Sequence, residues 1–161
     1  MTEENEQRTP EVVVVYPSHA ATRQHVLREY REPLQTHFTD FKFLFAHEEL
    51  ETPGIQKTEY IVRKLRTAVK VILLFAPKHE DCKYFRYALQ TLVPQHLEKV
   101  IPVTLGGCTL PVIVQTVSHL RSDDDRFWHK LSLALKHKPP GQSARKACHA
   151  PCFVLYSNST F

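Results

Sequence analysis

Hydrophobic positions in this chain fall into two patterns, short unbroken apolar blocks and longer stretches with an apolar residue every third or fourth position. "EVVVVYP" (Glu11 to Pro17) is a β-branched block of the kind that forms a strand buried on both faces. After it, Val26, Leu27, Tyr30, Leu34 and Phe38 follow helical spacing, with Pro33 expected to kink or shorten the helix. "FKFLFA" (Phe41 to Ala46) predicts a second strand, and "KTEYIVRKLRTA" predicts a helix. That helix carries Ile61, Val62, Leu65, Ala68 and Val69 on one face, with Arg63, Lys64 and Arg66 largely outside it. "VKVILLFAP" is the most hydrophobic block and is expected at the centre of a sheet, and "EDCKYFRYALQTLV" turns Phe85, Ala88, Leu89 and Leu92 inward.

"KVIPVTL" (Lys99 to Leu105) predicts strand four, "LPVIVQ" a short helix and "TVSHL" a brief fifth strand. The last helix is expected to start at an N-cap Ser122 with Asp125 three residues on, and to end at the basic Lys136, His137 and Lys138. Its apolar face is Phe127, Trp128, Leu131, Ala134 and Leu135. Strands alternating with helices over short links imply a flavodoxin-like α/β sandwich, a five-stranded parallel sheet with helices on both faces. Expected boundaries are a flexible start at 1–10, a domain at 11–138 and a poorly ordered tail at 139–161.

Composition narrows the class. A chain of 161 residues suits one core. Its apolar blocks fall far short of the roughly 18 residues that span a bilayer. The acidic start "MTEENEQRTPE" lacks the features of a secretory signal, so a cytoplasmic protein is expected, with Cys82, Cys108, Cys148 and Cys152 as thiols and Asn158 unglycosylated. A net charge of +4 is too small for a nucleic-acid-binding surface and allows only weak contact with acidic lipid, for which Arg63, Lys64, Arg66 and Lys70 are the candidates.

Doubly wound sheets bind ligands beyond the carboxyl ends of their strands. "PSHAATR" after strand one holds no glycine, so neither GxGxxG nor GxxxxGK[ST] is available there. The acidic pocket of a phosphoacceptor domain is missing as well, since Pro17, Ser18 and Ala76 occupy its positions. Ser18 beside His19 reads as a polar turn and not as a nucleophile with its base. Cys148, His149 and Cys152 form CHxxC without the partner pair a zinc site needs, and the remaining histidines show no HExxH, so no metal or cofactor is expected.

What remains is the loop "HEELETPG" after strand two. Together with "CKYFRYALQTL" leading to "VIPV", and "RFWHKLSLAL" in the last helix, it resembles in ordered fashion the Toll/interleukin-1 receptor (TIR) domain over roughly residues 11 to 137. The family's second box is a Pro-Gly loop, here Pro53 and Gly54, and its third is an aromatic pair, here Phe127 and Trp128, whose spacing assigns them to structural packing. The first box departs, with "EVVVVYP" replacing the usual aromatic-Asp-Ala-Phe string. "EDCKYFRYALQTLVPQHLEKVIPV" is similar to the segment after strand three in the death-domain adaptor of Toll and interleukin-1 receptors, although with about ten residues ahead of Glu11 no death domain is expected.

The resemblance implies an interaction module of innate immune signalling that assembles with TIR domains of receptors or adaptors and with itself, as adaptor or as competitor. Its contact loop would comprise Glu48, Glu49, Leu50, Glu51, Pro53, Gly54 and Ile55, facing the basic helix residues Arg63, Lys64 and Arg66 of a neighbour. Some TIR domains cleave NAD with a glutamate in the helix after strand three. Here that position is Phe85 or Ala88, neither a carboxylate, so no enzyme is expected. The alternative is a TIR NAD glycohydrolase using an off-register acid such as Glu80.

Overall fold

Valine's branched Cβ favours extended backbone, and the first apolar block forms β1 (Glu11–Val15), with each of its valines at most 1% exposed. The computed structural model describes residues 9–17, 20–46, 48, 53–54, 56–77, 83–92, 96–106 and 108–137. After β1 come α1 (Ala20–Val26), a π-helical turn (Leu27–Arg31), α2 (Glu32–His37), β2 (Lys42–Phe45), α3 (Lys57–Thr67), β3 (Lys70–Phe75) and α4 (Lys83–Leu92). β4 (Val100–Thr104), β5 (Leu120–Arg121) and α5 (Phe127–Lys136) complete the series. The sheet is parallel throughout in the order β2-β1-β3-β4-β5, a flavodoxin-like α/β fold with β3 at its centre and every β3 residue buried.

Strand alternation divides the interior in two. Val12, Val14, Ile72, Leu74, Ile101 and Val103 face the layer of α1, α2 and α5. Val13, Val15, Leu44, Val71, Leu73 and Phe75 face α3 and α4. Pro102 stands within β4, but β5 joins β4 only at Val103 and Thr104, so the proline's missing N–H costs the outer ladder nothing.

The first helical run answers the expectation about Pro33. Val26, Tyr30, Leu34 and Phe38, all buried, recur at a spacing of four. A regular α-helix would carry Phe38 roughly 120° away from the line of Val26. A π-turn absorbs about one residue and reduces that drift to roughly 20°. Pro33 follows directly, where the α-pattern of hydrogen bonds is already open, so the helix neither ends nor breaks.

Four local expectations are corrected. Ser122 does not cap the last helix. Its N–H extends the β5 ladder onto the Thr104 carbonyl (3.0 Å), its side chain hydrogen-bonds Tyr30, and α5 starts after Arg126 with no side-chain cap. Asp124 serves there instead, accepting from the Arg126 N–H (2.8 Å) and from Lys130, which together hold its carboxyl below the usual range. Val69 lies beyond the end of α3 and is 45% exposed. "LPVIVQ" supplies only a 3-10 turn at Val114–Thr116, with Val112 and Ile113 exposed.

Lys70 is the fourth. In register with Val12 on β1, it faces the α1, α2 and α5 layer, away from Arg63 and Lys64, and is only 6% exposed. It therefore does not belong to the basic helix face. Burial holds its ammonium below the usual lysine range, with Glu98 opposing the shift. A buried charge without an ion pair among the described residues is a liability. Lys70→Met is expected to raise Tm by a few degrees at pH 7. The folded lysine has the lower pKa, so stability of the native sequence rises as pH climbs from that value toward the unfolded 10.5. The Tm gap should accordingly narrow in scans taken toward pH 10; a gap that widens would refute this account of Lys70.

Candidate functional site

The acidic loop follows β2, whose Phe43, Leu44 and Phe45 are buried, and meets α3 at Gln56. Gln56 caps α3 with its own side-chain oxygen, which accepts from the Glu59 N–H at 3.0 Å, so the loop's exit is fixed by a helix start. Pro53 and Gly54 form an exposed turn. Gly54 has φ +87°, and a Cβ added there would meet nothing within 4 Å, so the requirement for glycine is conformational and not one of space. Glu48, at the loop's start, accepts from Arg31 of the π-turn at 2.7 Å. Glu49, Leu50, Glu51 and Ile55 lie outside the described residues.

The basic side chains project from the other end of α3. Arg63 and Arg66 are exposed and Lys64 is half-buried. Arg63 and Lys64 lie over the Tyr60 ring, 5.6 and 5.8 Å from its centroid, and Lys64 reaches Glu11 at 3.4 Å. Along α3 the basic residues stand about 9 to 14 Å from the helix start at Lys57. The Pro53–Gly54 turn thus precedes the start of α3, and Arg63, Lys64 and Arg66 stand on its second half. Arg31, which binds the loop's first acid, has no signal in the local sequence, because the pair spans 17 positions.

Phe127 is 5% exposed and packs edge-on to Tyr30 at 5.9 Å. Trp128 is half-buried at the rim of the same core and stacks on His37 with centroids 5.2 Å apart. In α4, Phe85 and Ala88 are wholly buried, and Phe85 meets Phe75 edge-on at 5.0 Å. A cavity of about 510 Å³ opens beyond the carboxyl end of β4, lined by Thr104, Gly106, Cys108, Gln115, His119 and Arg121. Its described lining contains no carboxylate, and the Cys108 thiol donates to the Phe75 carbonyl at 3.0 Å. Glu80, Ser18, His19 and the CHxxC segment lie outside the described residues. Among the described residues no three His, Cys, Asp or Glu side chains could hold a metal ion, and no helix is long and apolar enough to cross a membrane.

Solved structures of TIR and SEFIR domains share this fold. The TIR domain of the Toll-related receptor TRR-2 from Hydra magnipapillata matches with a TM-score of 0.64 at 16% identity, over 78% of this chain and 98% of that one. The SEFIR domain of IL-17 receptor B matches at 0.57 and 19%, over 78% and 94%. A TIR-STING receptor from C. gigas matches at 0.59 and 19%, over 92% of this chain and 45% of that one. No protein-family model and no curated protein matches the sequence. At such identities the likeness establishes the TIR/SEFIR-type fold.

Gly54 offers a direct check on the loop. Gly54→Ala is expected to destabilise the chain by about 1 kcal/mol in urea unfolding, the cost of a side chain in left-handed backbone. Gly54→Asn should lose less, since asparagine tolerates that region. Equal losses for both would point to a space requirement that the geometry does not contain.

Proposed function

We propose that this chain is a TIR-type interaction module that assembles head to tail with TIR domains, its own or those of receptors and adaptors in innate immune signalling. The observation that carries this reading is the exposed Pro53–Gly54 turn that leads into α3, in a loop of acidic sequence, with the exposed cations Arg63 and Arg66 toward the other end of the same helix. A loop of acidic sequence and a basic helix end can pair between molecules, and the resulting contact is heterologous and builds open strands. Long-range attraction between such surfaces speeds encounter, while the apolar Leu50 and Ile55 supply the anchors on which affinity depends. The similarity of "EDCKYFRYALQTLVPQHLEKVIPV" to the death-domain adaptor favours an adaptor, or a competitor, on the Toll and interleukin-1 receptor route. No NAD cleavage is part of this reading, because the side chains at the family's glutamate position, Phe85 and Ala88, are apolar and committed to the core.

Pro53→His and Arg66→Glu should each suppress concentration-dependent light scattering, with Tm changed by no more than a few degrees because both residues are exposed. Mixed together, the two variants should form dimers and nothing larger, since one keeps the basic end and the other the loop. Wild-type assembly combined with a mixture that stays monomeric would eliminate the head-to-tail arrangement. Incubation with NAD is expected to release no nicotinamide; release abolished by Glu80→Ala would replace this reading with the enzymatic one.

A further inference from the structure

Beneath the last turn of α3 the sheet leaves a second cavity, of about 580 Å³, at the end opposite the acidic loop. Its construction follows from strand register. Glu11 pairs with Lys42 across β1 and β2, and the Val69 N–H donates to the Glu11 carbonyl at 3.0 Å. These three residues stand two positions before Val13, Leu44 and Val71, which face α3, so all three lie on the α3 side below the apolar rows. The buried stripe of α3 ends at Leu65 and Ala68, and the helix stops before it covers this bottom row. Arg63, Lys64 and Thr67 of its last turn close the space from above.

Among the described residues the lining is unbalanced in charge: Lys42, Arg63 and Lys64 are opposed by Glu11, three cations against one carboxylate. The Lys64 to Glu11 contact is long, 3.4 Å, with about a quarter of each side chain exposed, 27% and 29%. Lys42 and Arg63 make no ion pair with any described residue. An arginine held over a ring keeps its in-plane N–H groups for an acceptor, and its fork matches phosphate oxygens. A helix C-terminus would ordinarily repel an anion, but here the Lys64 and Arg66 carbonyls of the last turn already accept hydrogen bonds. Thr67 Oγ1 donates to the carbonyls of Arg63 (3.1 Å) and Lys64 (3.4 Å), Ala68 N–H to Lys64 (3.0 Å) and Lys99 Nζ to Arg66 (2.7 Å).

We propose that this cavity binds a small phosphate-bearing molecule, with the phosphate dianion held by Lys42, Arg63 and Lys64. The surplus of two positive charges matches one phosphate monoester, and the volume leaves room for the group that carries it. The headgroup of a phosphorylated lipid and a free phosphate compound share this chemistry.

Calorimetric titration with inorganic pyrophosphate and with a soluble inositol phosphate tests the site, at protein concentrations where light scattering reads a monomer. The result then stands whether or not the chain assembles head to tail. One saturable site is expected, weakened about tenfold by Arg63→Gln or Lys42→Gln and strengthened by Glu11→Gln, which releases Lys64. Arg28→Gln removes the same charge from the other layer, where Arg28 pairs with Glu29, and should change nothing. Co-sedimentation with phosphatidylcholine vesicles, with and without phosphatidylinositol phosphate, separates the sources. Vesicle binding lost with Arg63→Gln identifies a headgroup, and soluble binding alone identifies a free compound. Absence of soluble binding, or equal losses in Arg28→Gln and Arg63→Gln, would overturn the proposal.

Discussion

A parallel sheet must be covered on both faces, because its strands are joined by crossovers that return over the sheet and no edge hairpin can substitute for them. Every other feature of this molecule is placed by that requirement. β1 and β3, the two strands at which the winding reverses, are apolar on both sides, so one helical layer has to supply Val26, Tyr30, Leu34, Phe127 and Leu131 and the other Ile61, Leu65, Phe85 and Leu92. The π-turn is a local response to the same demand, keeping a stripe with a period of four on the sheet while admitting Pro33. Ser122 is drawn into the ladder and toward Tyr30 for the same reason, leaving the start of α5 to Asp124.

Crossovers also polarise the domain. Each helix runs antiparallel to the strands, so the connections entering the helices gather at the carboxyl ends of the strands and the helix exits gather at the other end. α3 therefore receives the acidic loop at its start and presents Arg63, Lys64 and Arg66 at its finish. Arg31 takes Glu48 back onto the chain's own surface, which orients the loop's first acid.

The basic end is more than a helix face. Where α3 stops short, the lowest row of the sheet becomes the floor of a cavity, and Glu11 of β1, Lys42 of β2 and Val69 just ahead of β3 join the helix's cations. Lys70, one position along from Val69, illustrates how strict the alternation is: a single step turns a side chain into the opposite layer, where its charge is a burden rather than part of a binding surface.

Much of this was legible in the order of residues alone. Unbroken blocks such as Val12 to Val15 and Val71 to Phe75 can only be strands covered on both sides, and their alternation with amphipathic stretches leads to a doubly wound sheet without knowledge of any contact. The loop carrying Pro53 and Gly54 was likewise marked, since glycine and proline state their backbone geometry locally. Tertiary structure alone decided which residues meet across distance. Trp128 lies at the rim on His37 and not at the centre of the core, Glu48 pairs with Arg31, and Glu11 and Lys42 join Arg63 and Lys64 around one cavity. The reason is physical: burial and periodicity are properties of a segment, whereas register, strand order and the point at which a helix ceases to cover a sheet are set only when segments pack together.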